Sequence, residues 1–142
     1  MAFKLFLDAN VCIDFLLQRK GYEPSERIFE KIVFGDFKAY TSPAIIHIIS
    51  YFLKKVHHND IVKALVLNLL TSVKVIDCSH EISINAVNSQ MADIEDALQY
   101  YTAMHHKIDY FISLDKTLIR SAIPVLPVYS PEEFLTYIDS ND

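Results

Sequence analysis

Residues 93–115 read DIEDALQYYTAMHHKIDYFISLD, and this stretch decides the fold. Its first half places apolar residues at helical spacing, with Asp93 as the expected N-cap and Asp96 in the first turn, where carboxylates suit the helix dipole. Its second half contains the β-prone run 110–112 and ends at Asp115. In a parallel α/β sheet, helix N-termini and strand ends of this kind lie at the same edge, where ligands bind.

Outward from this stretch, short apolar runs alternate with helical patterns along the whole chain. Strands are predicted at 4–7, 37–41, 73–76, 110–112 and 125–128, the last flanked by prolines and therefore at an edge. This alternation predicts an α/β fold, a three-layer sandwich with a mainly parallel sheet of about five strands covered by helices. The length of 142 residues favours a single domain over residues 1–142.

The composition narrows the class of protein. No apolar run approaches the ~20 residues of a membrane helix, and the N-terminus lacks a signal-peptide pattern, so no membrane partner is expected. Two cysteines, expected to be small core residues, fit a reducing cytoplasm. The net charge of −5 argues against a large basic nucleic-acid surface. It does not exclude a phosphodiester substrate, because carboxylates that hold cations are neutralised when metal binds.

Three acids follow or face the predicted strand ends: Asp8, Asp96 and Asp115. Each alone fits a simpler role as a turn or helix-capping residue. Together they are harder to explain by capping alone. If they converge, two carboxylates ~4 Å apart repel by ~4 kcal/mol at an effective dielectric constant of about 20. A fold tolerates that only by sharing protons or cations, and hard oxygen ligands suit Mg²⁺ or Mn²⁺. Such ions activate water and neutralise charge on a phosphate.

Four segments resemble the motifs of PIN domains, in the right order and over nearly the whole chain. They read LFLDAN (5–10), DIEDALQY (93–100), FISLDK (111–116) and VLPVYSPEEFL (125–135). The nearest resemblance is to VapC-like toxins of type II toxin–antitoxin pairs. It implies a Mg²⁺- or Mn²⁺-dependent ribonuclease that cleaves RNA, a cognate antitoxin and a homodimer.

The same resemblance implies roles for individual residues. Asp8, Asp96 and Asp115 would be the catalytic metal ligands, with Asp93 as a second-rank candidate and Asn10 and Ser113 as polar neighbours.

One motif departs from the family pattern. Members of the family usually carry another acid in the helix after the second strand, but residues 42–55 contain none, and His47 or Ile48 falls at that position. His47 either replaces the acid as a ligand or water-holder, or is merely packed. An alternative function follows: a PIN-like binding module with a degenerate metal site. A phosphoacceptor receiver domain fits poorly, because it needs paired acids after the first strand and Asp8 is followed by Ala9.

Residues 61–70 contain only two polar side chains, so this helix is apolar nearly all round. With Ile49, Phe52 and Leu53 of the preceding helix, it predicts an apolar surface that suits a homodimer. The alternative is complete burial of the helix in a small helical subdomain.

Overall fold

The computed structural model of the protein describes residues 2–141 and contains a five-stranded parallel sheet flanked by helices. The strands are β1 (Phe3–Leu7), β2 (Phe37–Thr41), β3 (Val73–Val75), β4 (Tyr110–Ile112) and β5 (Val128–Tyr129), in the spatial order β3-β2-β1-β4-β5. All four pairings are parallel. The predicted α/β fold is therefore confirmed.

Within residues 2–141, seven helices lie between the strands and an eighth follows β5, and polar caps begin several of them. They are α1 (Ala9–Leu17), α2 (Glu23–Phe34), α3 (Pro43–Leu53), α4 (Asn59–Leu70), α5 (His80–Val87), α6 (Ile94–His105), α7 (Lys116–Ser121) and α8 (Pro131–Ser140). Asp8, Asp93 and Asp115 cap α1, α6 and α7 with their side chains. Ser130 forms a complete capping box with Glu133 at the start of α8.

The centre of the sheet is apolar on both faces, as expected for a parallel sheet between helices. In β1, Leu5, Phe6 and Leu7 are fully buried, and Phe6 stacks on Phe111 of β4 with ring centroids 4.9 Å apart. The register of β1 is fixed by the charged residues on either side, because a slip by one residue would carry Lys4 or Asp8 into this core. Asp8, the next residue, is thereby held at the carboxyl edge.

The fifth strand is shorter and later than predicted. It covers Val128–Tyr129 instead of 125–128, although it does lie at an edge of the sheet. Pro124 and Pro127 have no N–H group to donate to a sheet, and Val125 is exposed. Pairing with β4 therefore uses carbonyl groups, with Phe111 N donating to Pro127 O at 3.0 Å and Ser113 N donating to Tyr129 O at 2.9 Å.

The cysteines differ in environment. Cys12 is buried in the core beneath Asp8, and burial, with a smaller effect of Asp8, raises the pKa of its thiol. Cys78 is exposed, so its predicted place in the core is wrong. It lies in the connection that follows β3, directly before the cap of α5.

Among residues 2–141, no helix combines the length and apolar character needed to cross a bilayer.

Helix α4 is only partly buried, and α3 adds less to the apolar outer surface than the sequence predicts. Val62 and Leu69 are buried, whereas Leu67 and Leu70 are exposed, so complete burial of the helix is wrong. Ile49 and Leu53 of α3 are fully buried in the protein's own core and add nothing to the outer surface, while Phe52 is half-buried. The apolar surface that remains is therefore smaller than the sequence indicates.

Candidate metal centre

The carboxyl edge of β1 and β4 is where the candidate acids are placed. These two central strands are neighbours with Leu7 opposite Ile112, so Asp8 and Ser113 emerge side by side, and Asp8 N donates to Ile112 O at 3.0 Å. Asp115 follows two residues after Ser113. The first turn of α6 brings Asp96 close enough for Asp8 and Asp115 to raise the pKa of its carboxyl group. The structure thus brings the three acids to one edge.

Asp8 is held by two hydrogen bonds. Its Oδ1 accepts from Ala9 N at 2.8 Å, and its Oδ2 accepts from Ser113 Oγ at 2.7 Å. Burial raises the pKa of Asp8 above its usual value of 3.8, the two hydrogen bonds oppose that rise, and Asp115 and Glu95 add to it. The side chain is fixed in direction while its negative charge remains costly.

Ser113 and Asn10 connect the two strand ends. Ser113 is fully buried, and its Oγ also accepts from Asp115 N at 3.0 Å. Asn10 Oδ1 accepts from Leu114 N at 3.2 Å, which ties α1 to the turn after β4. Asp115 Oδ1 accepts from Thr117 N and Leu118 N at 2.9 and 3.2 Å. Both predicted polar neighbours therefore support the acids, and the capping role of Asp115 leaves its Oδ2 available.

Asp96 accepts no hydrogen bond from the described residues that would offset the negative field around its carboxylate. Its backbone N donates to Asp93 Oδ1 at 2.9 Å, so Asp93 acts as helix cap, but within residues 2–141 nothing donates a hydrogen bond to the Asp96 carboxylate. Burial, followed by the charges of Asp93, Asp115, Asp8 and Glu95, raises the pKa of Asp96 to about 7. A carboxylate in this position takes up a proton or a cation.

The donor set fits a hard divalent cation in its chemistry. Three carboxylates at one edge supply oxygen ligands and a negative field, which Mg²⁺ or Mn²⁺ would neutralise. Within residues 2–141, however, no three acidic, histidine or cysteine side chains are already arranged around one point as ligands. The residues therefore fit the ion by chemistry, and binding would require their carboxylates to move closer to one another.

His47 and Ile48 occupy the part of α3 where the family pattern places an acid. His47 is exposed and Ile48 is half-buried on α3, and no described residue forms a hydrogen bond with the His47 ring. The structure thus gives no support to His47 as a ligand.

A buried hydrogen bond that the sequence analysis missed lies at the start of α3. The Ser42 hydroxyl accepts from Ile45 N and donates to Gln99 Oε1 of α6, and both side chains are buried. Gln99 stands one helical turn after Asp96, so this bond ties the turn that carries Asp96 to α3. A glutamine among the apolar residues of α6 indicates a buried hydrogen bond, but its partner is 57 residues away in the sequence and local patterns do not identify it.

Comparison with known proteins places the chain in a family. A family model described as PIN domain matches residues 4–117, whereas no curated protein matches the chain. Among solved structures, the fold is similar to VapBC2 from Rickettsia felis bound to a promoter DNA fragment, with 14% identity, a TM-score of 0.67, and 90% of this chain and 98% of that chain covered.

Two further structures show the same fold at a TM-score of 0.67. A toxin–antitoxin complex from Klebsiella pneumoniae is 19% identical over 89% of this chain and 97% of that chain. VapC20 of Mycobacterium tuberculosis, a sarcin–ricin loop cleaving toxin, is 12% identical over 84% of this chain and 95% of that chain. With the family model spanning most of its length, the chain belongs to the PIN domain family.

Proposed function

We propose that this protein is a Mg²⁺- or Mn²⁺-dependent endoribonuclease that hydrolyses RNA phosphodiester bonds and serves as the toxin of a toxin–antitoxin pair in the cytoplasm. The observation that supports the proposal is that Asp8 and Asp115 lie near enough to Asp96 to raise the pKa of its carboxyl group, which accepts no hydrogen bond from the described residues. The PIN family model supports nuclease chemistry, and one structural neighbour is a sarcin–ricin loop cleaving toxin.

Each side chain at this edge would have a distinct role in forming the metal site. Asp8, Asp96 and Asp115 would hold the divalent cation, which supplies an activated water and neutralises phosphate charge when bound. Ser113 orients the Asp8 carboxylate, and Asn10 fixes the turn before Asp115. Asp93 fixes the first turn of α6 and so the direction of Asp96.

A binding module with a degenerate site is the second candidate function. The observations that favour it are the absence of an acid in α3 and the fact that no three ligand side chains in residues 2–141 are prearranged around one point. Such a protein would bind RNA or a partner protein without cleaving it.

Cleavage of a labelled, structured RNA separates the two candidates. We expect the purified protein to cut RNA in Mn²⁺ or Mg²⁺, to stop in chelator and to resume when metal is restored. Asp115→Asn, purified identically, controls for contaminating nucleases and should be inactive. Binding of RNA that is unchanged by chelator, without any cleavage, would establish the binding module instead.

The partners proposed are an antitoxin protein and a second copy of the chain. Several structural neighbours are toxin–antitoxin complexes, which supports the antitoxin. The homodimer would use the outer surface of α4, where Leu67 is 65% exposed, together with Tyr51 of α3, which is 57% exposed.

Light scattering at micromolar concentration tests the homodimer. We expect a dimer for the unmodified protein and a monomer for Leu67→Glu, because a charge at this exposed position opposes association without disturbing the core. Val87→Glu is the matched control, since Val87 is 57% exposed on α5 and lines a different surface cleft from Leu67. A folded, monomeric unmodified protein would contradict the dimer.

A further inference from the structure

A cleft of about 550 Å³ opens directly beside the acids. Asp93 and Asp96 of α6 form one part of its lining, and Thr117, Leu118 and Ser121 of α7 form another. Pockets of this size suit ligands as large as a nucleotide. The cleft shares two acids with the candidate metal centre, so a ligand bound at the metal would extend into it.

The walls of the cleft favour a flat, uncharged ring. Tyr101 and Met91 are half-buried and Ile123 is exposed, and these three side chains give the cleft its accessible aromatic and apolar surface. A nucleobase of any identity can stack on such a surface. The Asp93 carboxylate, which caps α6 and is not needed to hold the metal, repels an anionic group at the same place, so the flanking phosphates would lie outside the cleft.

Helix α7 presents cations beside the cleft. Thr117 and Ser121 lie four residues apart on the side that lines the cleft, and Lys116 and Arg120 repeat this spacing one residue earlier. Both basic side chains are exposed, and the ion pair found within residues 2–141, Arg19 with Asp14, involves neither of them. Basic side chains without an acidic partner are suited to phosphate contacts.

We propose that this cleft binds the base of a nucleotide next to the cleaved bond, while Lys116 and Arg120 contact the flanking phosphates. Asp93 gives the cleft a preference for adenine and cytosine over uracil, because their amino groups donate to a carboxylate oxygen that repels the O4 carbonyl of uracil. Its Oδ1 already accepts from Asp96 N, so Oδ2 is the oxygen that accepts from the base amine. This inference rests on the proposed ribonuclease function.

Filling the cleft tests the proposal. Ser121→Trp places a large ring at the exposed end of α7, and Ser140→Trp is the matched control at the exposed end of α8. Both serines donate to the carbonyl four residues earlier, Ser121 to Thr117 at 2.8 Å and Ser140 to Thr136 at 2.9 Å. We expect Ser121→Trp to lower kcat/KM at least 10-fold and to abolish the base preference, with unchanged Mn²⁺ affinity by calorimetry.

A binding measurement keeps this test independent of catalysis. In an Asp115→Asn background with Mn²⁺, fluorescence anisotropy of labelled trinucleotides should show about 10-fold tighter binding of cytosine or adenine than of uracil, and Ser121→Trp should remove the difference. Equal affinity for all three, or a preference that survives Ser121→Trp, would overturn the base site. Selective binding by a protein that never cleaves RNA would uphold the base site and reject the nuclease.

Discussion

Replacing Asp96 with asparagine is expected to stabilise the metal-free protein while lowering metal-dependent RNA cleavage at least 100-fold. The carboxylate is half-buried, accepts no hydrogen bond from the described residues and lies in the field of Asp93, Asp115, Asp8 and Glu95, which together with burial raise its pKa to about 7. Asparagine keeps the shape of the side chain and removes the charge, so the electrostatic cost of the metal-free site falls and a proposed metal ligand is lost.

The raised pKa of Asp96 determines how its contribution to folding stability changes with pH. The pKa is about 7 in the folded protein and near 3.8 in the unfolded chain, so the ionised carboxylate destabilises the fold above pH 7. That cost is relieved as the pH falls from 7 towards 3.8. Because solvent screens a half-exposed group, we expect a gain of about 1 kcal/mol for Asp96→Asn at pH 8 and none near pH 4.

Urea denaturation in chelator, at pH 8 and at pH 4, measures the difference. Glu95→Gln is the control, because Glu95 is exposed on the same turn and contributes least to the rise in the pKa of Asp96. If Asp96→Asn instead lost stability at pH 8 and kept its response to Mn²⁺, Asp96 would be a residue that merely stabilises the helix dipole.

Local sequence patterns were sufficient to predict the strand ends and the helix start that surround the candidate site. Apolar runs that end in Asp8 and just before Asp115 are short-range signals, as is the acidic start of α6. The parallel sheet then requires these ends to share one edge. The boundary of β5 failed for a local reason as well, since the two prolines remove the donors that a longer strand would need.

The remaining features depend on contacts between distant residues, which periodicity does not encode. The bond between Ser42 and Gln99 joins two helices, and nothing near Ser42 indicates that its hydroxyl has a second partner besides its own helix. The exposure of Leu67 and the burial of Ile49 likewise follow from how α3 and α4 pack. Which face of an almost entirely apolar helix is buried is decided by its neighbours and not by its own sequence.

Ser113 shows how a predicted neighbour becomes a supporting residue through register. The sequence indicated only that it stood near Asp115, but the pairing of Leu7 with Ile112 places its hydroxyl against the Asp8 carboxylate. We therefore expect Ser113→Ala to lower Mn²⁺ affinity about 10- to 100-fold, because residues that orient a metal ligand contribute on this scale.

The same variant should lose about 1–3 kcal/mol of stability at pH 8 in chelator, the cost of removing a hydrogen bond from a buried acceptor. The Ser113 hydroxyl holds down the pKa of Asp8, which burial has raised, so its removal raises that pKa further and penalises the ionised form. The penalty should be largest above the folded pKa of Asp8 and should disappear below pH 3.8, where Asp8 is protonated in both states.

Ser113→Thr separates the hydroxyl from the packing of this fully buried position. Threonine keeps the donor to Asp8 Oδ2 and adds a methyl group, so it should bear a packing cost at every pH and retain most of the Mn²⁺ affinity. Alanine should show little packing cost, weak metal binding and a stability loss that is larger at high pH, because the lost bond from Asp115 N costs the same at every pH and the lost bond to Asp8 adds to it only when Asp8 is ionised. Equal Mn²⁺ affinity for the two variants would mean that the Asp8 carboxylate is directed by Ala9 N and the strand register alone, without the serine.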